Sequence, residues 1–201
     1  PGIVAIAVTA LVVGACGSDD GTADDTTTAA TEGFPAVVDT MFGEVAVEQA
    51  PERVAALGWS DAETALALGV QPVAASDWLG FGGDGVGPWA EGRYDESPEI
   101  IATMEPSFEQ LAALTPDLIL DTTGSGDRAR YDTLTGIAPT IAPPEGAMAY
   151  LTPRDEQIEM VATALGKQEE GQDLITAIDE QFAQIAADNP DAELPDQNIV
   201  V

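Results

Sequence analysis

Short apolar runs separated by turn-forming segments fill the middle of the chain, and one long helical pattern fills its end. Val54-Ala55-Ala56-Leu57, Pro72-Val73-Ala74-Ala75, Asp117-Leu118-Ile119-Leu120-Asp121 and Pro139-Thr140-Ile141-Ala142 are short, apolar on both faces and bounded by turn residues, which predicts buried strands. Helical patterns lie between them. One runs from Ser60-Asp61 to Leu68 and stops at Gly69, a C-cap residue. A second opens at Ser107-Phe108-Glu109-Gln110, an N-cap with a capping-box-like third residue, and is broken by Thr115-Pro116. A third covers residues 128–134, and Phe42-Gly43-Glu44-Val45-Ala46-Val47 reads as part of a hairpin. Strand-helix alternation of this kind predicts an α/β fold, with a mainly parallel sheet flanked by helices. Ligands in such folds sit beyond the carboxyl ends of the strands.

The long pattern spans residues 152–188. Thr152 as N-cap, Pro153 at the first helical position and acids in the first turn specify its start, and Asn189-Pro190 ends it. Ile158, Val161, Ala162 and Leu165, then Leu174, Ile178, Phe182 and Ile185, keep one helical face. Two arrangements fit this spacing. One is a continuous helix of about 50 Å; the other is two ordinary helices broken between Gly166 and Gly171.

The first residues have a different character. Residues 3–15 form an apolar run too short to span a bilayer and lead into Cys16 and abruptly polar sequence, as in the core of a secretory signal. The basic start of such a signal is not in the sequence, so the chain is expected to begin inside it. Val13-Gly14-Ala15-Cys16 resembles a bacterial lipobox, which makes Cys16 the expected lipidation site; the alternative is a lone buried cysteine in an ordinary signal region. Residues 17–33 are rich in Asp, Thr, Gly and Ala, and read as a flexible tether between residues 1–16 and a folded unit at 34–151.

Charge narrows the function. With 36 acidic and 6 basic residues the net charge is -30, which argues against nucleic-acid binding. There is no histidine, so a Ser-His-Asp triad, a His-ligated zinc or a His-ligated haem cannot be built from these residues. The loops following the predicted strands hold Gly58-Trp59-Ser60-Asp61, Asp77-Trp78, Thr103-Met104-Glu105 and the stretch Thr123-Gly124-Ser125-Gly126-Asp127-Arg128. Trp59, Trp78 and Trp89, with Arg128 and Arg130, are thus expected near one edge of the sheet. Each also has a plainer reading, Trp as core and Arg as solvated surface. The Gly-rich segment from Gly80 to Gly87 lacks the Lys-Ser/Thr end of a phosphate loop. Asp121 and Asp127 are too ordinary in so acidic a chain to argue for catalysis.

Several blocks together resemble the iron-siderophore branch of bacterial ABC-transporter substrate-binding proteins. They are Pro51-Glu52-Arg53-Val54-Ala55-Ala56-Leu57, Leu68-Gly69-Val70-Gln71-Pro72-Val73, the stretch from Pro106-Ser107-Phe108-Glu109-Gln110 through Leu114-Thr115-Pro116-Asp117-Leu118-Ile119-Leu120, Tyr131-Asp132-Thr133-Leu134, Ile137-Ala138-Pro139-Thr140 and Ala164-Leu165-Gly166-Lys167, and they cover about residues 36–188. The resemblance implies two lobes joined by one long helix over residues 152–189, with Gly166 inside it and residues 190–201 opening a second lobe that is mostly absent. It implies capture of a ferric siderophore and delivery to an ABC importer permease, with no reaction and no resident cofactor. The protein would sit outside the bacterial cytoplasmic membrane, anchored through lipid on Cys16. Implied ligand contacts are Trp59, Trp78, Trp89, Thr103, Met104, Arg128, Arg130 and Tyr150; Glu109 matches the carboxylate that docks on the permease. The two arginines would offset an anionic chelate. Arg154 stands where many relatives carry Trp. A receptor for cobalamin or another bulky chelate, and a surface lipoprotein with no transport role, are the alternatives. The part of the long helix that faces the second lobe is expected to be exposed here.

Overall fold

The structure is a computed structural model that describes residues 33–102 and 106–190. The expected signal segment with Cys16, nearly all of the tether, Thr103 and Met104, and the strand expected near the end of the chain lie outside the described residues.

An antiparallel hairpin comes first, β1 (Ala36–Thr40) and β2 (Gly43–Val47), closed by the Thr40 hydroxyl on the Gly43 carbonyl at 2.8 Å. Then follow β3 (Val54–Ala56), α1 (Asp61–Ala67), β4 (Ala74–Ser76), β5 (Glu99–Ile101), α2 (Phe108–Ala113), β6 (Leu118–Leu120), α3 (Arg128–Thr135), β7 (Thr140–Ile141), α4 (Arg154–Ala164) and α5 (Gln168–Asp188). The five strands from β3 to β7 form one parallel sheet in the order β5-β4-β3-β6-β7. β3, β4 and β6 are buried along their whole length because both faces are covered. Alternation divides the core. Val54, Leu118 and Leu120 face the hairpin, α1 and α4, while Ala55 and Ile119 pack with Leu111 of α2 and Leu134 of α3.

The blocks that carry the family resemblance fasten the scaffold together. The Asp117 carboxylate accepts from the Glu52 and Arg53 amides, both at 2.8 Å, tying the start of β6 to the start of β3. Arg53 Nε donates to the Leu114 carbonyl at 2.9 Å, satisfying the end of α2. At the other end of that helix Ser107 Oγ accepts from the Gln110 amide, as expected of an N-cap. The reciprocal half of the capping box is not made, because the Gln110 side chain donates to Glu99 on β5 instead.

Residues 152–188 are not one continuous helix. α4 ends in a Schellman motif: Lys167 N donates to Ala162 O at 2.7 Å and Gly166 N to Thr163 O at 3.0 Å, with Gly166 at φ +66°. A side chain there would strike the Phe34 ring, 2.4 Å from the Cβ position. The chain then folds back. Gly171 of α5 approaches Ala162 so closely that a Cβ would lie 2.4 Å from it, and Arg154 at the start of α4 reaches Asp179 of α5 at 2.6 Å. The pair is an antiparallel helical hairpin, and Gly166 is its hinge residue, not an interior helix position. Thr152 does not cap α4 either: its hydroxyl is buried and donates to the Thr122 carbonyl at 2.6 Å. Phe182 and Ile185 of α5 are exposed.

Gly166→Ala separates the two arrangements by sign. In a continuous helix it would stabilise by about 1 kcal/mol. With Gly166 left-handed it is expected to destabilise by about 1–2 kcal/mol, more if Phe34 cannot move, read as a lower urea midpoint at unchanged m-value.

Candidate functional site

The carboxyl ends of β3, β4 and β7 feed loops that place aromatic rings side by side. Trp59, after β3, stacks on Tyr150 with centroids 4.8 Å apart and on Trp78, after β4, at 5.5 Å. Trp78 meets Phe81 edge-on at 5.9 Å, and Phe81 meets Trp89 edge-on at 5.5 Å. Trp59, Trp78, Phe81 and Tyr150 are half-buried, whereas Trp89 is exposed. The row is thus a wall of mutually contacting rings, partly exposed along its length and most exposed at Trp89. Trp89 can lie across the chain only because position 87 is glycine; a Cβ there would be 2.3 Å from the indole.

Local backbone holds the rings in place. Ser60 and Tyr150, both non-glycine, sit in the left-handed region at φ 65° and 61°, conformations that persist only where surroundings impose them. The Tyr150 amide donates to the Gly124 carbonyl at 2.8 Å, which binds the loop after β7 to the loop after β6. The Asp77 carboxylate accepts from the Phe81 and Gly82 amides, both at 2.8 Å, and so shapes the Gly-rich segment around Phe81. Trp78 Nε1 donates to Glu63 Oε1 of α1 at 3.2 Å.

Two buried acids lie behind this wall. The Asp121 carboxylate, at the end of β6, receives Arg130 Nε at 3.0 Å and Nη2 at 2.8 Å, a bidentate pair with side chains only 6% and 10% exposed. Burial alone would lower the Arg130 pKa, but the hydrogen bonds and charge of Asp121 raise it, so the guanidinium stays protonated. Gly124 leaves room for the pair, since a Cβ there would be 2.5 Å from the Asp121 carboxylate. Asp61, at the start of α1, is fully buried. It accepts from the Thr122 amide at 3.0 Å, the Thr122 hydroxyl, and Gln157 Nε2 at 2.8 Å, while Thr64 donates to the Gln157 carbonyl oxygen at 3.0 Å. Burial pushes the Asp61 carboxyl up to about 6, against the hydrogen bonds that favour its ionised form and with the Asp121 charge adding to the rise. This network joins α1, the end of β6 and α4 directly under the Trp59 loop.

Four of the residues anticipated from sequence, Trp59, Trp78, Trp89 and Tyr150, fall in the one row, with Arg130 behind it. Arg128 turns the other way. Its guanidinium lies 5.3 Å from the Phe42 ring centroid and 5.8 Å from that of Tyr131, and it pairs with Asp132 at 2.7 Å. Positions two apart on a helix diverge, so Arg128 and Arg130 do not form a pair facing one ligand. Glu109 is exposed in the first turn of α2. Phe81 and Glu63 were not singled out by sequence, and Asp61 entered only at the end of the loop Gly58-Trp59-Ser60-Asp61 and the start of the helix after it; Phe81, lying between Trp78 and Trp89 among glycines, offered a usable signal. A separate groove of about 650 Å³ between the hairpin and α4 is lined by Asp39, Glu44, Glu145, Glu156 and Glu159 and includes none of the aromatic row.

Comparison with known proteins gives this geometry a family. Residues 54–201 match the model of the periplasmic binding protein family. A probable siderophore-binding lipoprotein of Bacillus subtilis is 29% identical over 67% of this chain and 39% of its own length. A putative ABC transporter substrate-binding lipoprotein of the same organism is 30% identical over 71% of this chain and 43% of its own. The chain therefore spans about two fifths of the curated relatives it matches. Among solved structures, a periplasmic solute binding protein of Mycobacterium smegmatis superposes with a TM-score of 0.71 at 34% identity, covering 77% of this chain and 55% of that one. The iron-uptake protein PiaA of Streptococcus pneumoniae in complex with ferrichrome gives 0.69 at 29%, covering 77% and 52%. With three quarters of its residues inside one family model, and an aromatic wall at the carboxyl edge of a parallel sheet, this chain belongs to the periplasmic binding protein family.

Proposed function

We propose that this chain supplies one wall of a cleft that captures a ferric siderophore and passes it to an ABC importer, with the protein held at the membrane through lipid on Cys16 and catalysing no reaction. The observation that carries the reading is the row Tyr150-Trp59-Trp78-Phe81-Trp89, whose partly exposed rings suit a large, partly apolar chelate. An iron already wrapped in oxygen donors asks the protein for no ligands of its own, which accords with a chain lacking histidine. The relatives named as siderophore-binding, and PiaA bound to ferrichrome, support the same assignment. Glu109, exposed and outside the aromatic wall, is the residue offered to the permease.

In the full-length protein, ferric siderophores are expected to quench tryptophan fluorescence at submicromolar concentration. Trp59→Ala should raise Kd about tenfold or more, the loss of one aromatic contact. Glu109→Ala should leave that Kd unchanged and lower uptake by cells. Saturation by corrinoids alone would transfer the assignment to cobalamin, and no response to any chelate would remove it.

A further inference from the structure

We propose that the aromatic wall selects iron chelates of zero or positive net charge over anionic ones, and that Glu63 sets this preference; the inference rests on the chelate-binding reading above. All six basic residues of the chain are accounted for. Arg53 precedes β3 and caps α2 from the opposite end of the sheet. Arg93 is exposed in the loop after β4, where its carbonyl accepts from Gln71 Nε2 at 3.1 Å and so ties that turn to the start of the strand. Arg154 and Lys167 belong to the α4-α5 hairpin, where they pair with Asp179 and Glu170. Arg128 and Arg130 follow the end of β6. Arg128 is turned to Phe42, Tyr131 and Asp132, and the charge of Arg130 is matched by the bidentate carboxylate of Asp121.

The acids on that side are not matched in the same way. Glu63 lies against the aromatic wall, with Oε1 accepting from Trp78 Nε1 at 3.2 Å and from the Gly87 amide at 3.4 Å. Its Oε2 is buried and has no hydrogen-bond partner among the described residues. Burial first, and then the neighbouring Glu63 and Asp84 carboxylates, raise the Tyr94 phenol above its usual range. Asp77 adds a further carboxylate, bonded among the described residues to the neutral amides of the Phe81 turn. The ring faces contribute in the same sense, because an aromatic face attracts cations and repels anions. A chelate on this wall therefore meets a negative potential in a partly desolvated setting. Three singly charged bidentate donors, such as hydroxamates, cancel the charge of ferric iron; three doubly charged ones, such as catecholates, leave a trianion.

The test titrates the full-length protein by tryptophan quenching with ferrioxamine B, which is cationic, ferrichrome, which is neutral, and a ferric tris-catecholate. The first two are expected to bind about tenfold or more tightly than the trianion at low ionic strength, with the gap shrinking as salt is added. Glu63→Gln should narrow the gap several-fold, chiefly by improving the trianion. A trianion that binds as tightly as the neutral chelate overturns the charge inference and leaves the receptor reading standing. A gap unchanged in a folded Glu63→Gln protein overturns the role of Glu63. No quenching and no melting shift with any of the three overturns both readings.

Discussion

Arg130→Ala is expected to destabilise the protein by about 3–5 kcal/mol, the usual effect of removing one partner from a buried ion pair. Asp121 would be left at the end of β6 with its two charge-assisted bonds gone and almost no access to water. Its carboxyl would then be driven toward the protonated form. Urea unfolding at neutral pH reads the loss directly. The double variant Arg130→Met, Asp121→Leu should recover most of it, since a well-packed apolar pair can replace a buried ionic one. If Arg130→Ala unfolds at the wild-type midpoint, the buried Arg130–Asp121 pair does not contribute to stability. The same substitution bears on function only through the wall behind which Arg130 sits, so weaker chelate binding should accompany the stability loss.

Asp61 should make stability depend on pH in the opposite sense to an ordinary surface-paired carboxylate. Its folded pKa, about 6, lies above the ordinary 3.8, so the folded state holds this proton more tightly than the unfolded chain. The stabilisation is fully present below 3.8 and is lost as pH rises through about 6. A shift of about two units corresponds to roughly 3 kcal/mol. Unfolding free energies measured from pH 4 to 7 for wild type and Asp61→Asn should therefore diverge, the wild type losing about 3 kcal/mol relative to the variant across that window. Parallel profiles would show that Asp61 titrates normally. The comparison with Asp61→Asn cancels the repulsion within a chain of net charge -30, which relaxes on acidification in both proteins.

The central scaffold could be read from local pattern because each element declares itself within a few residues. Val54-Ala55-Ala56 and Leu118-Ile119-Leu120 are apolar without alternation, which only a strand buried on both faces tolerates, and both are central strands. Ser107 before α2, Gly69 after α1 and Pro116 before β6 mark boundaries by their own backbone chemistry. The candidate wall was legible for a related reason. Chain alternation fixes which loops follow strand ends, and Trp59 and Trp78 occupy those loops while Tyr150 falls in the long connection after β7.

Three features were not legible, and each depends on a partner distant in sequence. The pattern over residues 152–188 keeps helical spacing through Gly166, so only the Phe34 ring and the packing of Gly171 on Ala162 decide that the chain reverses there. Arg128 and Arg130 look like a pair in sequence, yet their side chains leave α3 in different directions, one to Phe42 and the other to Asp121. Glu63 and Asp61 are two among 36 acids; what distinguishes them is Trp78 above one and Thr122 with Gln157 around the other. The sequence by itself determined the parallel α/β scaffold, the aromatic edge and the family, because those rest on periodicity, turn chemistry and local blocks. Tertiary structure alone decided the helical hairpin, the fate of the arginines and the charge of the wall, because each is set by contacts between segments that only folding brings together.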